Sequence, residues 1–193
     1  LHTIKRGDYM DNIYSIIGQL PNELKSCFMA FDNVLLSNIT EIRLRINKPI
    51  IIYILDKPYF ISKYDKLINH YTDSVRYLSG EEFKFIIDNI CNNSYHTHIN
   101  TMINGYVTDN YGSRVGIAGE AVYKDSALTS VKNIESINIR ISHNIIDCSR
   151  NILNTLYLKS SPSIIIAGPP ASGKTTILRD MTRLLSSGYA GKY

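Results

Sequence analysis

No two cysteines in this 193-residue sequence stand at C-x-x-C spacing; the three present, Cys27, Cys91 and Cys148, are far apart and odd in number. A disulfide framework is therefore not expected, and a reducing compartment fits. Long apolar runs are missing as well. The longest, such as "IIIYIL" at 50–55, fall well short of the ~20 residues that cross a bilayer, and no signal peptide is visible. Membrane association would thus need a partner. Strong charge of one sign is also lacking: the net charge is +4, with Lys and Arg spread along the chain. That balance suits a phosphate or an acidic surface without requiring nucleic acid. Internal repeats and low-complexity tracts are absent too. What remains, 44% hydrophobic and 20% charged residues, describes a soluble globular chain with room for one domain, or for a small domain and part of a second.

The chain opens on Leu1, and its first methionine is Met10. Residues 1–9 are expected to be a leader without function. From Asn12 to Leu36, apolar residues recur at three and four, with Pro21 separating two short helices. "EIRLRI" (41–46) alternates apolar and charged residues, the period of a half-buried strand. The turns "NKP" and "DKP" then link it to "IIIYIL" and "YFIS" as an antiparallel meander. Ser79 and Glu82 stand at the spacing of a capping box, predicting a helix that ends near Asn92. "GYVTD" and "RVGIAGEAV" flank "NYGS" as a hairpin, and "SINIRIS" (136–142) alternates as another strand. Residues 10–148 thus read as an α+β module, 149–162 as a linker containing a short helix, and 163–193 as the start of a further unit.

Gly168, Gly173, Lys174 and Thr175 complete the pattern G-x-x-x-x-G-K-[ST], the phosphate-binding P-loop. "SIIIA" before it reads as a strand buried on both faces. After it, Ile177, Leu178, Met181, Leu184 and Leu185 fall on one helical face, with Gly188 at the C-cap. In such a loop the N–H groups from Ser172 to Thr176 converge on a phosphate at a helix N-terminus. Pro169 and Pro170 precede that donor stretch and stiffen its approach, and Ala171 lies between them and Ser172. Lys174 is expected to neutralise β- and γ-phosphate oxygens. The Thr175 hydroxyl would ligate Mg²⁺, and Thr176 would bond near the α-phosphate of ATP. Hydrolysis needs an acidic group on a neighbouring strand. Asp180, a turn into the helix, is poorly placed to supply it.

At this point the chain resembles a known family. The succession "EIRLRINKPI", "EEFKFIIDNICNNS", "INGYVT", "GSRVGIAGEAV", "NIESINIRIS" and "GPPASGKTTILRDMTRLLSSG" is similar, from about Met10 to Gly188, to the stage III sporulation protein AA family of endospore-forming Firmicutes. The resemblance implies an α+β N-terminal module followed by the first strand, P-loop and helix of an α/β core of RecA/AAA+ type. It implies an ATPase related to the secretion ATPases, acting as a homo-oligomer, a hexamer by analogy. It further implies a place in the mother-cell cytoplasm, at the membrane facing the forespore, through binding to membrane subunits of the sporulation channel. Direct contact with nucleic acid is not expected. The family continues beyond this helix with an acidic strand, whereas "SSGYAGKY" closes this chain, so a C-terminally shortened form that binds without multiple turnover is expected. A partner-binding module and a small-molecule kinase are the alternatives; ~160 residues ahead of the loop argue against the kinase.

Arg43, Arg45, Arg114 and Arg140 fall on expected strands. In related secretion ATPases such arginines approach the nucleotide across an interface, which makes Arg114 and Arg140 candidate nucleotide sensors; the plainer reading pairs them with surface carboxylates. "YHTH" sets His96 and His98 two apart, too few ligands for a metal. The fourteen tyrosines accompany no RNA-recognition signature and are read as packing residues.

Overall fold

The computed structural model describes residues 7–91, 98–108, 114–141, 145–156, 163–170 and 172–189, the side chains from residue 13 onward. The chain divides into two compact units, residues 1–142 and 143–193. His96 and Ala171 lie outside the described residues.

In the first unit, three helices precede the sheet: α1 (Gly7–Gly18), α2 (Asn22–Met29) and α3 (Asn33–Ser37). Helix α1 begins ahead of Met10, inside the stretch read as a leader. Pro21 precedes α2, as expected, but the helix then breaks again. Asp32 accepts a hydrogen bond from the Leu35 N–H at 2.7 Å and starts α3 as its N-cap. Seven strands follow: β1 (Ile39–Arg45), β2 (Ile51–Ile54), β3 (Lys57–Ile61), β4 (Leu67–Ile68), β5 (Tyr106–Thr108), β6 (Arg114–Lys124) and β7 (Ala127–Arg140). They form one sheet in the order β4-β3-β2-β1-β7-β6-β5, antiparallel throughout. Two meanders therefore meet where β1 pairs with β7, Ile42 opposite Ile139 and Leu44 opposite Ile137.

Between β4 and β5 lie α4 (Gly80–Ile90) and α5 (Ile99–Met102). Helix α4 starts on a capping box. The Glu82 N–H donates to Ser79 Oγ at 3.1 Å, and the Ser79 N–H donates to Glu82 Oε2 at 2.8 Å. Arg76 donates to the same glutamate at 2.7 Å and approaches Glu23 and Asp65 at 3.5 and 3.7 Å, tying α2 and a turn to the start of α4.

Side-chain alternation then assigns the two faces of the sheet. Ile42, Leu44, Ile52, Val115, Ile137 and Ile139 point inward and are buried with Ile16, Phe28, Phe83 and Met102 from the helices. Among the described residues, each helix of this unit contributes to the core on that one face. The β7 strand is longer than the alternation at 136–142 indicates. It pairs with β6 around a two-residue turn at Asp125 and Ser126, both in the left-handed region (φ 49° and 64°), the geometry that matches strand twist in a hairpin. Midway, register shifts between Ala118 and Glu120 as β7 bulges at Asn133 (φ 47°). There Gly119 faces backbone so closely that an added Cβ would lie 2.6 Å from the Lys132 carbonyl oxygen.

The second unit holds α6 (Arg150–Leu156), in the stretch expected as linker, and α7 (Lys174–Ser186). Leu153, Met181 and Leu184 form its buried core. Residues 163–168 do not form the expected doubly buried strand. A strand needs a ladder partner, and no described residue of this unit is in one. Covered from one side only, Ile164 and Ile166 pack against the helix core while Ile165 is 94% exposed.

Candidate phosphate-binding loop

Helix α7 begins at Lys174 because Gly173 turns the chain into it with φ 81°, a left-handed conformation that glycine adopts without a Cβ clash. The first α-helical bond recorded is from the Ile177 N–H to the Gly173 carbonyl at 2.9 Å. Helix geometry thus leaves the N–H groups of Lys174, Thr175 and Thr176 without intrahelical partners, and no side chain caps this end. These donors sit at the positive end of a 13-residue helix dipole. The Ser172 N–H, expected among the donors, is directed to the Pro169 carbonyl at 3.4 Å.

The Lys174 ammonium donates to the Pro169 carbonyl at 2.5 Å, folding back over its own loop. Gly168 lies against Ser172, so an added Cβ would stand 2.9 Å from Ser172 Oγ. Gly168, Pro169, Pro170, Ser172, Gly173 and Thr175 are exposed, and Lys174 and Thr176 are half-buried. Among the described residues the arrangement is thus an exposed loop joining a helix N-terminus without a side-chain cap to one ammonium, which fits an oxyanion such as a phosphate. The Thr175 hydroxyl, on the exposed side, is available to a divalent cation accompanying that phosphate.

At the other end, the Gly188 N–H bonds the Leu185 carbonyl at 3.1 Å with φ 79°, the expected left-handed stop. Leu178, expected on the buried face, is 55% exposed.

Asp180 has a role that spacing does not reveal. Its carboxylate is buried on α7 and accepts from Ser149 N–H at 2.9 Å, Ser149 Oγ at 2.7 Å and Asp147 N–H at 3.1 Å. Arg183 donates to it at 3.0 and 2.7 Å, and also reaches Asp147 at 3.0 Å. Burial alone would push this carboxyl up. The Ser149 backbone and hydroxyl, Arg183 and the Asp147 N–H outweigh burial and hold it well below the usual carboxylate range. The carboxylate thereby anchors the residues just ahead of α6. Ser149 ahead of that helix was the only local signal; its partner lies thirty-one residues on.

Asp147 and Asp180 are the only acidic residues from 143 to 193, against six basic ones: Arg150, Lys159, Lys174, Arg179, Arg183 and Lys192. The first unit, with fifteen of each sign, is neutral. The whole excess of +4 is therefore carried by the unit with the loop, which the even spread of Lys and Arg along the sequence conceals.

Arg114 and Arg140 belong to the first unit. Arg114 lies over the Tyr106 ring at 4.9 Å. Arg140 has a side chain 78% exposed and sits 3.8 Å from Glu41. Among the described residues no group of His, Cys, Asp and Glu could hold a metal ion, and no helix is long and apolar enough to cross a membrane.

Comparison with known proteins adds the family. The family model for sporulation stage III, protein AA, matches residues 11–192. The chain belongs to this family. Stage III sporulation protein AA of Bacillus subtilis (strain 168) is 31% identical over 169 residues, covering 88% of this chain and 51% of the relative. The chain thus spans about half the length of that curated relative. Among solved structures, the Legionella pneumophila ATPase DotB matches with a TM-score of 0.37 and 18% identity, covering 92% of this chain and 42% of that one.

Proposed function

We propose that this chain is the nucleotide-binding portion of a sporulation ATPase, holding ATP with Mg²⁺ on the loop Gly168–Thr176. The observation that carries the reading is Gly173 in the left-handed region, setting Lys174 at the head of a helix that no side chain caps. In this reading the N–H groups of Lys174, Thr175 and Thr176 hold phosphate oxygens. The Lys174 ammonium leaves the Pro169 carbonyl to join them. Mg²⁺, taken by the Thr175 hydroxyl, would screen the phosphate charge. The setting proposed with it is a homo-oligomer, hexameric by analogy, on the mother-cell side of the channel apparatus, joined to the membrane through channel subunits.

Titration with ATP, with and without Mg²⁺, tests the reading on the unaltered chain and on Lys174→Ala. The unaltered chain should bind, more tightly with Mg²⁺, and the variant should lose about tenfold or more, about 1.4 kcal/mol. Equally weak binding by both would sink the proposal.

A non-hydrolysing role for these residues has its own support. Both carboxylates of the second unit are already bonded, Asp180 to Ser149 and Arg183, Asp147 to Arg150 at 2.8 Å. Neither is free to orient an attacking water, so binding rather than bond breaking is what this set of side chains serves.

A further inference from the structure

The sheet of the first unit has a second face. Since its helices all pack on the side of Ile42, Leu44, Ile137 and Ile139, alternation turns Glu41, Arg43, Arg45, Asn138, Arg140, Arg114 and the rings of Tyr53 and Tyr106 the other way. No described element of this unit lies over them. Pairing makes the face continuous: Arg43 stands opposite Asn138, Asn138 opposite Gly116, Gly116 opposite Tyr106, and Glu41 opposite both Tyr53 and Arg140. Among these residues four guanidiniums thus stand with one carboxylate, Glu41, although the unit as a whole is neutral.

Three of the four guanidiniums have a partner on this face. Arg43 lies over the Tyr53 ring at 4.4 Å and Arg114 over Tyr106 at 4.9 Å, a cation–π contact that leaves guanidinium N–H groups for a further acceptor. Glu41 shows the kind of acceptor these N–H groups meet: Arg43 donates to one of its oxygens and Arg140 stands 3.8 Å from the other. Arg45 and Arg114 have no carboxylate partner among the described residues. Amid them, Asn138 Oδ1 is shielded from solvent without a donor, an arrangement that costs about 1–3 kcal/mol when left unmet.

We propose that this open sheet face docks an extended acidic segment of a partner protein, its carboxylates taken by Arg43, Arg45, Arg114 and Arg140. Two features select carboxylates over nucleic acid. The tyrosine rings that would stack bases are already covered by guanidiniums. The neutral unit lacks the basic field that draws a phosphate backbone. Planar arginine forks accommodate the carboxylates of such a segment two N–H groups at a time.

The test uses a fluorescein-labelled peptide of alternating glutamate and serine, its anisotropy followed with the whole chain at low and raised ionic strength. The peptide should bind at low salt. Binding should weaken about tenfold or more in the variant Arg43→Gln, Arg114→Gln, Arg140→Gln, and persist in part when the same positions are lysine. Glu41→Gln, which frees Arg43 and Arg140, should bind the peptide more tightly than the unaltered chain, a gain that misfolding cannot imitate. Binding unaffected by the glutamine substitutions, or weakened by Glu41→Gln, would overturn the proposal. So would a thymidine oligonucleotide that outcompetes the peptide through the same arginines.

Discussion

Asp180, midway along α7, takes both the backbone N–H and the hydroxyl of Ser149 at the head of α6. One buried carboxylate therefore joins the helix that follows the loop to the helix that precedes it, with Arg183 closing the set. Acid should expose this dependence. A carboxyl held below its ordinary value contributes stability that is complete above the unfolded value of 3.8 and is lost as pH falls through the folded one. Asp180→Asn should cost about 2–4 kcal/mol at neutral pH. Measured by denaturation from neutral to strongly acidic pH, the gap between the two proteins should narrow only below the ordinary carboxylate range. A gap that closes near neutrality would contradict the assignment.

The two loop glycines should respond differently to alanine. At Gly173 the left-handed backbone makes any Cβ cost about 1–2 kcal/mol, and relief by a change of backbone would turn the helix donors away. Gly173→Ala should therefore weaken nucleotide binding sharply. At Gly168 the nearest obstacle is the Ser172 hydroxyl, the end of a side chain that can rotate. Gly168→Ala should be milder, and Ser172→Ala should restore most of its loss. Titration of the single and double variants reads both effects.

Thiol chemistry separates the cysteines. Cys27 and Cys91 are buried, and burial pushes their thiols up to about 12 and about 11. Cys148 is exposed, its thiol also raised, by partial desolvation and by neighbouring Asp180. Only the thiolate reacts. Iodoacetamide on the folded chain should add one label, slowly, at Cys148, with the other two following on unfolding. Peptide mass spectrometry reads the order.

In the first unit, Gly119→Ala forces a Cβ against the backbone of Lys132, Asn133 and Ile134 at 2.6 to 2.9 Å. Backbone cannot rotate aside as a hydroxyl can. Urea denaturation should record a loss of about 1–3 kcal/mol, without change in the binding of nucleotide by the other unit.

The sequence was informative where a device is local. The Ser79–Glu82 box, the alternation at 41–46 and Gly188 each state their structure within a few residues. The turn at Asp125 and Ser126 escaped notice because it lacks the glycine that usually marks two left-handed residues in succession. The break before α3 depended on one aspartate bonding its neighbour. Ile164–Ile166 misled for another reason: a short apolar run does not state how many layers will cover it, and here there is one. The Asp180–Ser149 pair was out of reach, since no local pattern ties residues thirty-one apart.

The division of charge between the units bears on colloidal behaviour. With fifteen acids against fifteen bases, the first unit sits near its isoelectric point at neutral pH, where proteins repel one another least. Dispersion of the chain then rests on the +4 of the loop-bearing unit. An anionic nucleotide held there would lower that charge, and with it the barrier keeping one copy from the next.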